Sequence, residues 1–520
     1  MFLLIGEYYM KKKLVIRIIL ALLIMITLVV TSSATSKELT KSYNSTGDED
    51  LDPLVDVEVT VEIQKIRSLE KFEYPNLWIE KIDWFSDPDF YVKVFINDEE
   101  FVSDIWHNTK YVYDPQFAPT LNVPDEEEFV DIKIQLWDWN SYGDRLCDIS
   151  SDYENRTDSC DIELIYTIKT GHWRGDDSAS VEYMFGDPSG YGRLNGCDDN
   201  SFNQRDKDCE LWFNIYQNDF DNDTIPYWTE VNAFGTDPEV DNRGEDADND
   251  SVPIEWENKW GHSFGHWEEE HEWFYDPFRW ENHSALDPDE DGLNNVEEYL
   301  TSQWGSDPFR KDIFVELDQM EPSPDGVESM LPEGAKELLY TAFDRYNMVY
   351  HIDDGCMGGG EMLPFDELTD RDELQDYYYN EYFLHGDQDN WRRGVFRYGI
   401  VVYDAGYPGY NFRRGAYQIS SSYVNEKAVP NTQKRRDIAY ASVYMHECGH
   451  TLDIWNPGVD DDQSKNPSQP NWWKWGPYKS CMNYRYVYRL VDYSDGSRGK
   501  NDFPDWYTLD FTAFQGGGWW

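Results

Sequence analysis

The stretch RRDIAYASVYMHECGHTLDI, residues 435–454, reads as one long helix that carries two histidines four residues apart. Residues at that spacing lie on the same helical face one turn removed, so His446 and His450 can reach a single ion. Glu447 projects beside that ion, where a carboxylate can take a proton from water. Ala439, Ala441, Val443, Tyr444 and Met445 run ahead of the pair, which makes the helix apolar and packed rather than a solvated surface element.

Around this helix, strand and helix signals alternate from Lys311 onward. DIFVEL reads as a strand, EGAKELLYTAFDRY as an amphipathic helix, and MVYHI and YGIVVYD as strands. The expectation is an α/β or α+β domain of about 200 residues. Downstream stands Ser480-Cys481-Met482-Asn483-Tyr484. The histidine helix together with this turn resembles the metzincin metallopeptidases, over roughly Lys311 to Phe514. The resemblance implies a mixed sheet, a zinc ion on His446 and His450, Glu447 as general base, Met482 in a tight turn beneath the metal, and Tyr484 steadying an oxyanion. It implies hydrolysis of a protein or peptide substrate.

The chain departs from the family where the third ligand belongs. Asp453 stands in place of a glycine, and Asn456 in place of a histidine or aspartate. Asn is a poor zinc ligand because its oxygen is neutral. No Glu or His follows His450, which excludes a third glutamate of the thermolysin kind. Asn456-Pro457-Gly458 stops the helix, and Asp460, Asp461 and Asp462 come shortly after it. Asp460 is the expected third ligand, with Asn456 or Asp453 as alternatives. Cys448 and Cys481 either tie helix to turn through a disulfide or serve as small buried hydrophobes. The cluster Trp472-Trp473-Lys474-Trp475 either lines a cleft or packs in the core.

Upstream, residues 217–308 are acidic and rich in turns, with three segments in one register. Asp219, Asp221 and Asp223 are followed by Glu230; Asp246, Asp248 and Asp250 by Glu257; Asp287, Asp289 and Asp291 by Glu298. Carboxylates at loop positions 1, 3, 5 and 12 suit calcium, because alternate residues of a tight turn face the ion and a glutamate on the next helix closes its shell. The segments resemble EF-hand loops and thrombospondin-type calcium repeats, and they suggest a rod or spacer that calcium stiffens. Thr224 and Ser251 occupy position 6, where such loops want glycine.

Residues 55–216 show repeated β-branched and aromatic runs, VEVTVEI, FYVKVFI, FVDIKIQLWDW, DIELIYTI, ASVEYMF and ELWFNIY, separated by Asp, Gly, Pro and Asn. Many short alternating strands suggest an all-β sandwich. Asp83 and Asp89 precede one strand, and Asp138, Asn140 and Asp144 follow another. Two acidic loops meeting at one end of a sandwich resemble the C-two family, which implies a further calcium site and a calcium-dependent membrane or cell-surface contact.

The remaining features concern location. Lys11, Lys12 and Lys13 precede an apolar run from Ile18 to Val30 and then Thr31-Ser32-Ser33-Ala34. That order describes a secretory signal or N-terminal anchor over residues 1–36, with a polar linker over 37–54 and an extracellular or cell-surface destination. The formal net charge of -58, from 102 acidic against 44 basic residues, argues against nucleic acid as a partner. Of seven cysteines, Cys147 with Cys160 and Cys197 with Cys209 are close enough in sequence to close short loops. The expected map is therefore a multidomain chain: sandwich (55–216), calcium repeats (217–308) and zinc peptidase (309–520). A non-catalytic, calcium-dependent adhesion protein with a degenerate peptidase fold is the competing expectation.

Overall fold

The computed structural model describes residues 57–515 except 71–81, 83–85, 125–126, 151–159, 177–191, 198–206, 262–274, 457–458 and 460–461. The signal, the linker, the run ASVEYMF, Asp83 and Asp460 lie outside the described residues.

The first eleven strands are β1 (Val57–Ser68), β2 (Phe90–Ile96), β3 (Glu99–Val102), β4 (Tyr111–Phe117), β5 (Thr120–Val123), β6 (Phe129–Asp138), β7 (Arg145–Leu146), β8 (Ile162–Thr167), β9 (His172–Gly175), β10 (Arg193–Asn195) and β11 (Cys209–Tyr216). They form two antiparallel sheets, β10-β11-β1-β4 with β5 on β1, and β3-β2-β6-β8-β9 with β7 on β6. Strand period explains the layering: along β6, Val130, Ile132, Ile134 and Leu136 point inward while the residues between them face outward. They meet Val57, Val59, Val61 and Ile63 of β1 in one core, so residues 57–216 form a β-sandwich.

Beyond two short helices, α1 (Ile254–Gly261) and α2 (Asn295–Thr301), a second fold begins. It contains β12 (Asp312–Met320), α3 (Glu333–Asp344), β13 (Val349–Asp353), β14 (Met362–Leu363), β15 (Phe396–Val402), β16 (Gly409–Arg413), β17 (Ala416–Ser420), α4 (Ser421–Lys427) and α5 (Gln433–Thr451). The sheet order is β13-β12-β15-β17-β16; its strands are parallel except β16, which ends the sheet antiparallel to β17. Every residue of β12 and β15 is buried, as expected for strands covered on both faces. Helices α3 and α5 cover one face through Leu339, Phe343, Ala439, Val443 and Tyr444. The turn of helix at Glu373–Phe383 covers the other through Leu374 and Phe383, which pack with Tyr398 and Ile400.

The rod expected of the repeats is not what forms. Asp56–Trp520 is one compact unit, in which the sandwich also bonds directly to the α/β region. Arg67 of β1, 1% exposed, lies 2.7 Å from Glu337 and 3.1 Å from Asp344 of α3, and Arg193 lies 3.3 Å from Asp344. Glu210 and Glu337 still balance the two arginines if Asp344 is removed, but buried guanidinium donors are then left unmatched, which costs about 1–3 kcal/mol. Asp344→Ala is therefore expected to lower the unfolding free energy by that amount on chemical denaturation, and an unchanged midpoint would show the contact to be marginal.

Candidate metal centres

Helix α5 starts at a Thr432 cap, whose hydroxyl accepts from the Arg435 amide at 3.3 Å. It ends in a Schellman turn: Ile454 N–H donates to the Gly449 carbonyl (3.0 Å) and Asp453 N–H to the His450 carbonyl (3.4 Å). Asp453 sits at φ 60, the left-handed conformation a glycine would supply, and Asp is among the few side chains that adopt it readily. The aspartate thus makes the turn without a glycine.

That turn aims a carbonyl. His450 Nδ1 donates to the Ile454 carbonyl at 3.1 Å, and His446 Nδ1 donates to the Cys481 carbonyl at 2.9 Å. Each bond fixes the tautomer with its proton on Nδ1 and the lone pair on Nε2. The two rings stand 4.9 Å apart at 83°, and ligand atoms of His446, Glu447 and His450 lie within 4.8 Å of one another. Burial, with His446 beside it, pushes His450 down to about 3, so that ring is neutral, as a metal ligand must be. Two imidazoles and a carboxylate in this state form a donor set that suits zinc.

The surroundings are built tightly. A Cβ on Gly449 would come within 2.6 Å of Met482 Sδ, so the methionine turn presses against α5 between the two histidines. Ser480 Oγ accepts from Met482 N–H (3.1 Å), and Asn483 Nδ2 donates to the Trp475 and Tyr478 carbonyls (2.9 Å each), holding the turn. The Tyr484 ring is 5.6 Å from His446, and Trp455 stacks on His450 at 4.0 Å. Asn456 spends its amide nitrogen on Tyr478 Oη (2.8 Å) and Asp505 Oδ1 (3.0 Å). Cys448 and Cys481 are buried thiols, with Tyr350 Oη donating to Cys448 Sγ. Trp475 is buried in the core, whereas Trp473 is exposed.

Sequence reasoning missed the edge strand. β16 runs beside α5, and Asn411, with its amide nitrogen toward the helix, donates to Glu447 Oε2 (3.0 Å) and the Glu447 carbonyl (3.2 Å). Any side chain at Gly409 would collide with Glu447. The only sequence signal was that a short glycine-flanked strand followed YGIVVYD.

The three acidic segments share one hydrogen-bond plan. Position 6 N–H donates to the first aspartate: Thr224 to Asp219 (2.9 Å), Ser251 to Asp246 (3.0 Å), Gly292 to Asp287 (3.1 Å). Position 7 N–H donates to the third: Ile225 to Asp223 (2.8 Å), Val252 to Asp250 (3.3 Å), Leu293 to Asp291 (2.7 Å). Position 6 is left-handed in all three, at φ 78, 87 and 93. Left-handed backbone costs a side-chain-bearing residue about 1–2 kcal/mol, and glycine forfeits about 0.5–1 through its looser unfolded chain. Thr224→Gly is accordingly expected to raise unfolding free energy by about 0.5–1 kcal/mol; a loss on denaturant titration would mean the threonine side chain contributes more than its strain.

Each segment also recruits a residue that sequence reading overlooked, five places after the aspartate of an Asp-Pro pair. Asn242, Glu281 and Asp312 donate their N–H groups to Asp223, Asp250 and Asp291 at 3.1, 3.2 and 2.7 Å. Glu230, Glu257 and Glu298 are each at most 1% exposed. Both carboxylate oxygens of Glu257 and Glu298 are buried without a hydrogen-bond donor among the described residues. Burial first, then neighbouring aspartates, raises Glu230 to about 7, Asp248 to about 6, Asp291 to about 8 and Glu257 to about 10. Crowded, dry carboxylates of this kind fit a hard cation.

At the sandwich end, the acidic groups are engaged by protein donors. Asp89 accepts from Asn108 N–H (2.8 Å); Asp138, fully buried, accepts from Asp89 N–H (3.1 Å) and lies 3.4 Å from Lys207 Nζ. Asp144 accepts from Asn140 N–H (3.1 Å) and Tyr91 Oη (2.9 Å), and Asn140 Oδ1 accepts from Tyr142 N–H (3.3 Å). The thiol facing Cys209 belongs to Cys147, and Cys197 Sγ donates to Asp208 (3.4 Å). Neither Cys147 nor Cys209 is joined to the partner its sequence spacing suggested.

No protein-family profile matches the chain, and no curated protein matches it. Among solved structures it is similar to human group IVD cytosolic phospholipase A2 in complex with an inhibitor and terbium chloride, at 13% identity and a TM-score of 0.18, covering 31% of this chain and 17% of that one. It is also similar to a C2 domain (12%, TM-score 0.18, 31% and 97%) and to the calcium-bound tandem C2 domains of extended synaptotagmin 2 (8%, TM-score 0.18, 32% and 47%). The chain thus spans less than a fifth of the phospholipase chain. Among the described residues no helix is long and apolar enough to cross a membrane.

Proposed function

We propose that the chain is a secreted zinc endopeptidase whose accessory regions are stabilised by calcium. What supports this reading above all is the anchoring of both Nδ1 atoms, His446 to Cys481 and His450 to Ile454, which fixes both rings with ligand atoms within 4.8 Å of those of Glu447 and of each other. Zinc held there supplies a Lewis acid that acidifies water and polarises a carbonyl.

The chain's own residues supply the rest. Glu447 receives the proton from attacking water on its carboxylate and returns it to the leaving amine. The Asn411 bond to Oε2 orients that carboxylate. Tyr484, beside His446, is the candidate donor to the developing oxyanion. β16 ends its sheet next to Glu447, and an extended substrate can add to such an edge through main-chain hydrogen bonds. Asp460 is proposed as the third ligand, since a carboxylate binds zinc far better than the neutral amide oxygen of Asn456.

Metal analysis tests the reading. After mild dialysis the folded chain should retain about one zinc. Asn456→Ala is expected to keep it and Asp460→Ala to lose it, while well-folded wild type without zinc would overturn the assignment.

A further inference from the structure

The second acidic segment carries a histidine where its two siblings have none. At the place two beyond the residue that follows the Asp-Pro pair, the first segment has Gly244 and the third has Phe314, but the second has His283. This imidazole is wholly buried, and its Nε2 lies 3.2 Å from Asp250 Oδ2, 3.6 Å from Glu257 Oε1 and 3.8 Å from Glu281 Oε2. Ligand atoms of these four residues all lie within 4.8 Å of one another. The third segment has a histidine nearby too, but there His351 stands behind Asp312, bonded to its Oδ1 at 2.6 Å.

We propose that the second segment is a transition-metal centre, in which His283 Nε2 joins the carboxylates of Asp250, Glu257 and Glu281, and not a third calcium loop. Calcium takes oxygen ligands, whereas imidazole with carboxylate suits zinc, cobalt or iron. A metal with bonds of about 2.1 Å needs ligand atoms about 3–3.5 Å apart, close to the separations around Nε2. The ring is also oriented for the task. The Asn295 side-chain Nδ2 lies 2.9 Å from its Nδ1, which anchors the ring with Nε2 toward the carboxylates. Trp256 and Tyr275 pack edge-on against the ring at 5.7 and 4.9 Å, fixing its plane and excluding water. Independently of the histidine, Glu257 has no hydrogen-bond donor for either oxygen among the described residues.

The test uses the full chain carrying His446→Gln and His450→Gln, so that failure of the peptidase reading cannot affect it. Cobalt is titrated in the presence of millimolar calcium and followed by its visible absorption. One cobalt per chain is expected, with His283→Gln weakening it at least about 100-fold, since even an outer-shell loss costs 10–100-fold. Glu281→Gln provides a second variant that leaves the histidine in place, and it is expected to weaken cobalt while calcium binding elsewhere persists. Absence of cobalt binding in the parent, with calcium filling three loops, would overturn the proposal, as would cobalt binding unchanged by both substitutions.

Discussion

Glu447→Gln is expected to lower hydrolysis of an unfolded protein substrate by about 10²–10⁴-fold, with zinc content and unfolding midpoint unchanged. The amide keeps the shape of the side chain and can still meet Asn411, but it cannot accept and return a proton, and general acid–base help of this kind is worth that range. In barrier terms the loss is about 3–5 kcal/mol. Because the residue is 5% exposed and packed against β16, the isosteric change is preferable to alanine. Full activity in this variant would remove Glu447 from the mechanism. A zinc-loaded wild type that cuts nothing would favour the adhesion reading, in which the helix is a relic.

Calcium removal is expected to have the larger structural effect. A site filled at a thousand times its dissociation constant contributes about 4 kcal/mol, so two or three such sites contribute about 8–12 kcal/mol. That matches the whole stability of an ordinary domain, about 5–15 kcal/mol. Chelation at pH 8 should therefore unfold the repeats, seen as lost near-ultraviolet circular dichroism from Trp256, Trp260 and Tyr275. The pH dependence follows from the raised carboxyls. Glu230, Asp248 and Asp291 sit at about 7, 6 and 8 in the folded chain, above their ordinary values near 4. Groups raised on folding lend stability below the unfolded value and lose it as pH climbs through the folded one. The chelated chain should thus be more stable at pH 5 than at pH 8, and calcium should erase or reverse that order. Equal midpoints at both pH values without calcium would contradict the crowding seen here.

What was legible in the sequence is what short spacing dictates. The i, i+4 histidines, the 1-3-5-12 carboxylates and the alternating strands β1, β2, β6, β8 and β11 all express a local period, and the described chain places them as that period requires. What stayed hidden depends on residues far apart. Asn411 meets Glu447 only because β16 folds back along β17. Arg67 finds Asp344 from a different region of the chain, so no local pattern could announce it. The residues that follow each Asp-Pro pair were hidden differently: the repeat was visible, but its donor is a backbone N–H, which leaves side-chain identity unconstrained and lets Asn242, Glu281 and Asp312 differ. The spacer expectation failed because it rested on the likeness of the segments alone, whereas buried ion pairs join the sandwich directly to the α/β region within one compact unit.

Asp312 belongs at once to an ion loop and to the first strand of the histidine-bearing sheet, with its N–H on Asp291 and its carboxylate on His351. A cation held by Asp291 would therefore bear directly on the strand around which that whole sheet is laid down.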